Sequence, residues 1–145
     1  FHRGALVNIR RGALLHDISK MGIPDGIFHK DGPLSEEERK IIQKHPQDAY
    51  NMLSQIEYLR SALEIPYCHH EKWDGTGYPR GLKGDEIPIS ARMFAIVDVF
   101  DALTNDRPYR KALPLDEVIK YLKEQKETHF DPMVADAFLQ LLSSI

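Results

Sequence analysis

The stretch that decides the fold is GALVNIRRGALLHDIS, residues 4–19. Its apolar side chains recur at helical spacing on two adjacent stripes, Leu6, Ile9, Ala13 and His16 on one and Val7, Leu14 and Ile18 on the other. A helix that is apolar on most sides is typical of a protein interior. We therefore predict a buried helix over residues 4–19, with the pair His16-Asp17 near its end.

Helical patterns continue along the chain. Ser35-Glu36-Glu37-Glu38 is a capping box, and it predicts a helix to about Gln55 with an inner face of Ile41, His45, Ala49, Met52 and Ile56. Further helices are predicted near residues 58–70, with Pro66 as a kink or restart, from Ser90 to about Thr104, from Asp116 to about Gln125, and after Pro132.

Residues 71–89 contain four glycines and two prolines and predict a long loop. Such a loop inside a compact domain is usually functional. No convincing pair of strands is visible, so we expect an all-α bundle that forms one domain over residues 1–145. The buried pattern starts within the first residues without a cap, so we expect further helices upstream of this sequence.

Composition excludes several classes of protein. Hydrophobic residues make up 42% and charged residues 28% of 145 residues, which is typical of a globular domain. The net charge of −3 argues against a duplex nucleic-acid surface. No apolar run could span a membrane, and no signal peptide is visible. A single cysteine, Cys68, excludes a disulfide framework and fits a cytoplasmic location.

Four predicted helices each carry His or Asp side chains toward the interior: His16 and Asp17, His45, His69 and His70, and Asp98 and Asp101. A shared cation would offset the buried carboxylates, with imidazoles as further ligands. Each residue also has an ordinary structural interpretation. His45 could be a hydrogen-bonded core residue, and Asp101 could hold Arg107 or Arg110. We interpret His2, His29 and His129 as surface residues.

Basic and aromatic side chains accompany this set. Lys20 follows Asp17 by three positions, and Asp106-Arg107-Pro108-Tyr109-Arg110-Lys111 follows the helix of Asp98. Such cations suit phosphate oxygens. Trp73 and Tyr78 either stack on bases or pin the loop to the core. Two metals can activate water and stabilise the leaving oxygen of a phosphodiester, and no P-loop or paired Ser or Cys nucleophile is visible.

Several motifs carry a family resemblance. His16-Asp17-Ile18-Ser19-Lys20 resembles the HD-x-x-K signature of the HD phosphohydrolase superfamily. The string from His69 to Pro79, HHEKWDGTGYP, resembles the extended signature of its HD-GYP subfamily, as do residues 96–104, 106–110 and 129–132. The resemblance covers nearly the whole chain.

The resemblance implies an all-helical HD-domain bundle with two or three divalent metal ions, iron or manganese. It implies hydrolysis of a cyclic dinucleotide, usually cyclic di-GMP, to its linear form or to GMP. By position, the metal ligands would be His16, Asp17, His45, His69, His70 and Asp98. Asp17 and Lys20 would serve catalysis, and the substrate would be held by Lys20, Tyr78, Arg107 and Arg110. Asp101 would be an acid near the metal, while Glu71 and Asp74 would order the loop.

This chain departs from the family pattern at two points. Ser19 replaces the glycine of the usual HD-Ile-Gly-Lys, and the upstream helix with a further ligand His is outside this sequence. Two alternatives therefore stay open. One is a non-catalytic module that senses the nucleotide or docks a diguanylate cyclase through Gly77-Tyr78-Pro79. The other is an HD phosphohydrolase for another nucleotide. A homodimer is also left open.

Overall fold

The computed structural model describes residues 2–108 and 110–145, and within them the regular structure is helical. The chain divides into two compact units, one up to His70 and one from Glu71 to Ile145. This division into compact units does not test the prediction that residues 1–145 form one domain, which stays a prediction. Among the described residues only two isolated bridges, Arg107 with Arg110 and Lys126 with Phe130, have strand-like pairing. The all-α prediction is confirmed.

The first unit contains α1 (Arg3–Leu15), a 3₁₀ helix (His16–Gly22), α2 (Asp25–Phe28), α3 (Glu36–Leu53), a second 3₁₀ helix (Glu57–Ala62) and α4 (Glu64–Cys68). Both α1 and α3 pack against α4. A cluster of Leu53, Leu59 and Leu63 forms a core, with Leu15 and Ile18 packed beside it.

The predicted buried helix over residues 4–19 is wrong in two respects. The α-helix ends at Leu15 and continues as a tighter 3₁₀ helix that carries the HD pair. Leu6 is 54% exposed and Leu14 is 80% exposed, because α1 packs through one narrow face. On that face Gly12 approaches the Ala62 carbonyl so closely that a Cβ would lie 2.7 Å from its oxygen. The helix also has an N-cap, since the backbone N–H of Ala5 donates to Nδ1 of His2 at 3.3 Å.

The capping box that opens α3 is confirmed. The Glu38 amide donates to the Ser35 hydroxyl at 3.2 Å, and the Ser35 amide donates to the Glu38 carboxylate at 2.7 Å. The predicted inner face is only partly right. Ala49 is buried, but Ile41, Met52 and Ile56 are exposed, because the buried face runs through Pro46, Ala49 and Leu53 instead.

The segment predicted as a third helix restarts before Pro66. Its first part is the 3₁₀ helix Glu57–Ala62, and α4 begins at Glu64. Pro66 therefore occupies the first turn of α4, where no intrahelical partner for its missing N–H is needed.

The second unit contains a 3₁₀ turn (Gly84–Glu86), α5 (Ile89–Thr104), α6 (Leu115–Glu124) and α7 (Pro132–Ser143). Its core is built from Ile96, Val118, Leu122, Phe130 and Ala135. Ser90 is buried and does not cap α5, whose N-cap residue is Pro88. Pro132 opens α7 as predicted, and the Asp131 carboxylate caps that helix. Among the described residues, no helix has the length and apolarity needed to cross a membrane.

Candidate metal centre

The HD pair lies at the first turn of the 3₁₀ helix that follows α1. The Asp17 carboxylate lies between two nitrogen groups. Its Oδ2 is 3.2 Å from Nε2 of His16, and its Oδ1 is 2.9 Å from Nζ of Lys20. Both Asp17 and Lys20 are about half exposed, so solvent and solutes can reach this group.

The electrostatics keep Asp17 ionised. Burial raises the pKa of its carboxyl, but the hydrogen bond and charge of Lys20, together with the charges of His16 and His69, outweigh that effect. The pKa of Asp17 is therefore held below its ordinary value of 3.8. An ionised carboxylate is the form that binds a cation.

Two histidines have their ring orientation set by backbone carbonyls. Nδ1 of His16 lies 2.5 Å from the Ala13 carbonyl oxygen, and Nδ1 of His69 lies 2.8 Å from that of Ile65. A carbonyl only accepts, so Nδ1 carries the proton in each ring. In the neutral His69 ring, Nε2 then holds the lone pair, as in metal-ligating histidines held by an outer partner. Nε2 of His16 lies 3.2 Å from the Asp17 carboxylate and must give up its proton before it can bind a metal.

The pair His69-His70 closes α4 as predicted. The His16 and His69 rings meet edge to face, with centroids 5.6 Å apart, and the His69 and His70 centroids are 3.9 Å apart. Burial and, to a smaller extent, the charges of His69 and Lys20 lower the pKa of His70 to about 3, although the charge of Asp17 opposes them. His70 is therefore neutral at neutral pH, which is the form that ligates metals.

His45 lies in the middle of α3, half-buried, with its ring against Gly22. Both residues line a groove of about 540 Å³ in the first unit, together with Ile18, Ser19, Met21, Asp48, Ala49 and Met52.

The donors in the first unit are of the types that bind divalent metal ions in proteins. Imidazole nitrogens and one ionised carboxylate make up the set, and in two rings Nδ1 is taken by a backbone carbonyl, so Nε2 is the nitrogen left for a metal. Across residues 2–108 and 110–145, no three His, Cys, Asp or Glu side chains are arranged as ligands of one ion. The residues therefore fit a divalent metal by donor type, and the six-ligand set stays a prediction.

In the second unit, Asp98 and Asp101 lie three residues apart on α5. Asp98 is half-buried, whereas Asp101 is exposed. Oδ2 of Asp101 is 3.4 Å from Nη2 of Arg107, and its Oδ1 accepts from the Asn105 amide at 3.0 Å. These contacts favour the structural interpretation of Asp101, as the acid that holds Arg107.

The basic turn after α5 is organised by backbone pairing between Arg107 and Arg110. The Arg110 guanidinium donates to the carbonyls of Ala102 and Lys111, so it ties the turn to the end of α5. Tyr109, which belongs to the same motif, lies outside the described residues.

The loop that begins at Glu71 is held by its own acids. The Glu71 side chain is 2% exposed, and it accepts from the backbone amides of Arg80 at 2.8 Å and Leu82 at 3.0 Å. The Asp74 carboxylate accepts from the amide and hydroxyl of Thr76. These contacts agree with the prediction that both acids order the loop.

The two loop aromatics are partly buried. The Trp73 backbone bonds to His129 and Gly84, and the Arg92 guanidinium lies 5.8 Å from the Trp73 ring centroid. Burial raises the pKa of the Tyr78 hydroxyl. Trp73 therefore pins the loop to its own unit.

Sequence reasoning missed three organising residues of the second unit. Arg92 is 15% exposed and bonds to the buried Asp131 carboxylate at 2.8 Å. The order Asp131-Pro132 is an N-cap followed by a first-turn proline, so Asp131 had a local signal. Arg92 had none. His129, interpreted as a surface residue, is half-buried, and its ring stacks on Phe130 at 4.3 Å.

Comparison with known proteins identifies the class. The family model of the HD domain matches residues 5–134. The chain therefore belongs to the HD domain family, which the HD pair and the helical fold had indicated.

The relatives narrow this assignment. The chain is 42% identical over 142 residues to a cyclic di-GMP phosphodiesterase of Thermotoga maritima, covering 97% of this chain and 39% of that protein. It is 42% identical over 124 residues to 3'3'-cGAMP-specific phosphodiesterase 3 of Vibrio cholerae, covering 86% and 27%. The chain thus spans between about a quarter and two-fifths of these relatives.

A solved structure has the same fold. Bd1817, an HDG"Y"P protein from Bdellovibrio bacteriovorus, superposes with a TM-score of 0.66 at 23% identity, covering 91% of this chain and 42% of that one. The resemblance to the HD-GYP subfamily is confirmed.

Proposed function

We propose that this chain carries the hydrolytic centre of a metal-dependent phosphodiesterase for a cyclic dinucleotide, with cyclic di-GMP as the favoured substrate. The observation that carries the proposal is the arrangement at Asp17. An ionised, half-exposed carboxylate lies within 3.2 Å of His16 Nε2 and 2.9 Å of Lys20 Nζ. The names of the relatives, which are phosphodiesterases of cyclic di-GMP or of 3'3'-cGAMP, support the substrate class.

In this proposal His16, Asp17, His45, His69, His70 and Asp98 hold two or three divalent ions, iron or manganese. Such ions supply Lewis acidity toward the phosphate oxygens. The backbone carbonyls of Ala13 and Ile65 hold Nδ1 of His16 and His69, which leaves Nε2 of each ring for a metal, and the low pKa of His70 keeps it neutral.

Lys20 is the proposed catalytic cation. Its ammonium is half exposed and paired with Asp17, so it can exchange that pair for a phosphate oxygen or donate a proton to a leaving group. The ion pair of Arg107 with Asp101 is long and exposed, and exposed pairs of this kind contribute little to stability. Arg107 can therefore turn to a phosphate at small cost. Arg110 and Tyr78 complete the proposed substrate contacts.

A second candidate is a protein-docking module that recognises a diguanylate cyclase through Gly77-Tyr78-Pro79. The observation that favours it is the order of the loop. Glu71 accepts from the amides on the far side of this tripeptide, Arg80 and Leu82, so the loop is formed before any partner binds.

A product assay separates the two functions. The parent chain and its Asp17→Asn variant are incubated with Mn²⁺ or Fe²⁺ and with cyclic di-GMP or 3'3'-cGAMP. We expect cleavage by the parent and none by the variant, because Asn keeps the shape but lacks the charge that offsets the ions. Full activity of Asp17→Asn contradicts the proposed mechanism. A metal-loaded, inactive parent that still binds a cyclase favours the docking module.

Substrate binding is tested at the basic turn. Arg107→Ala should weaken cyclic dinucleotide binding about 10- to 100-fold, because a charge-assisted phosphate contact contributes about 1.5–3 kcal/mol. Metal content should stay unchanged. Lys111→Ala is the matched control, since Lys111 lies in the same turn and is exposed. If the parent, Arg107→Ala and Lys111→Ala bound the cyclic dinucleotide with equal affinity, Arg107 would have only a structural role in the turn.

A further inference from the structure

Gly22 ends the 3₁₀ helix that begins with the HD pair, and it touches His45 of α3. A Cβ at position 22 would lie 2.8 Å from Cε1 and 3.0 Å from Nδ1 of the His45 ring. Both distances are shorter than a van der Waals contact. A methyl group and the ring cannot occupy these places together, so the ring position depends on the absence of a side chain at residue 22.

The requirement for glycine does not come from the backbone. The glycines with positive φ are Gly32, Gly75, Gly81 and Gly84, so Gly22 has a backbone conformation that other residues adopt. The close approach of the ring is therefore what favours glycine here.

This contact joins two of the three elements that carry the proposed ligands of the first unit, the 3₁₀ helix and α3. His16 and Asp17 begin the 3₁₀ helix, and Gly22 ends it against His45. The same 3₁₀ helix packs along α3. The HD segment thus sets the place of a histidine that is 28 residues further along the chain than Asp17.

We propose that Gly22 is a positioning residue that fixes the His45 ring for metal binding. This inference rests on the proposed function, in which His45 is a ligand. Metal–ligand distances tolerate only about 0.2 Å, whereas a methyl group at residue 22 displaces the ring by more than that. Changes in the groups that orient a ligand typically lower metal affinity about 10- to 100-fold.

The test compares Gly22→Ala with Gly26→Ala. Gly26 is a matched control, because a Cβ there has no neighbour within 4 Å, and both changes remove the same freedom from the unfolded chain. Mn²⁺ affinity is measured by calorimetry, and the His45 ring by ¹H–¹⁵N correlation spectra. We expect Gly22→Ala to shift the His45 ring resonances and to weaken Mn²⁺ binding about 10- to 100-fold, with neither change in Gly26→Ala.

A double-mutant cycle with His45→Ala shows whether the effect acts through the ring. In the His45→Ala background, Gly22→Ala should leave the Mn²⁺ affinity unchanged, and it should shift the urea midpoint no more than Gly26→Ala does. Additive effects, or unchanged His45 resonances in Gly22→Ala, overturn the proposal. A parent chain that binds no Mn²⁺ contradicts the proposed metal centre instead, and the resonances and the urea cycle still decide whether Gly22 positions the ring.

Discussion

Glu71 of the second unit and Asp17 of the first are held in opposite ways. Glu71 is 2% exposed and accepts from two backbone amides. Asp17 is 52% exposed and pairs with two side chains, His16 and Lys20. Backbone partners cannot leave without unfolding the loop, whereas side chains can rotate away. The comparison therefore separates a carboxylate that maintains structure from one that is accessible for chemistry.

The residues around these carboxylates differ between the two units in the same way. In the second unit, the buried carboxylate of Asp131 caps α7 and bonds to Arg92. In the first unit, the side chains around Asp17 are two histidines and a lysine, all titratable. Perturbed titratable groups are typical of functional sites. Three predictions test the comparison.

The largest expected effect on stability is that of Glu71→Gln. One of the two backbone amides at Arg80 and Leu82 would then face an NH₂ group instead of an oxygen. Leaving a buried donor without its charged acceptor costs about 2–3 kcal/mol, so the free energy of unfolding in urea should fall by that amount. Glu86→Gln is the control, because Glu86 accepts from the Lys83 amide at an exposed position. If the Glu71→Gln variant were as stable as the control, Glu71 would not be a carboxylate that maintains the structure of the loop.

Local signals explain which parts of this fold were predictable. The capping box at Ser35 and the start of α7 at Pro132 depend on neighbouring residues, and both are as predicted. The HD and GYP motifs are contiguous in the sequence, so the family could also be recognised from the sequence alone. The loop acids were assigned correctly through that resemblance.

The errors concern tertiary packing. Apolar periodicity predicted burial of Leu6 and Leu14, but spacing along a helix does not determine which partners cover it. The change to a 3₁₀ helix at His16 has no local signal in LLHDIS. His129 was misjudged because the residues that interact with it, Lys72, Trp73 and Asp74, lie more than 50 positions away in the sequence.

The second prediction concerns pH and the second unit. Burial lowers the pKa of His129 to about 4, the Lys72 charge acts in the same direction, and Asp74 opposes it. The unfolded chain takes up this proton near pH 6.5, before the folded chain does. His129 therefore costs no stability above pH 6.5, and stability is lost as the pH falls from about 6.5 to about 4.

This loss should be about 2 kcal/mol, below the full value of the shift because the ring is partly solvated. Urea unfolding of the parent and of His129→Gln at pH 7 and pH 4.5 measures it. The variant should lose less stability between the two pH values, whereas the exposed-site control His29→Gln should behave as the parent. Parallel pH profiles of parent and His129→Gln would show that burial of this ring has no effect on stability.

The smallest expected effect on stability is that of Asp17→Asn, the change expected to abolish cleavage. Lys20 holds the pKa of Asp17 below 3.8 against the effect of burial, so the charged pair contributes stability at neutral pH that is lost only as the pH falls through that low value. Solvent screens a pair that is half exposed, and such pairs contribute less than about 1 kcal/mol. At pH 7 the urea midpoint of Asp17→Asn should therefore lie close to that of the parent, while Glu71→Gln unfolds at clearly lower urea. A large destabilisation by Asp17→Asn would show that Asp17, like Glu71, is a carboxylate that the fold requires. The loss of cleavage would then be explained by unfolding and would not indicate chemistry at Asp17.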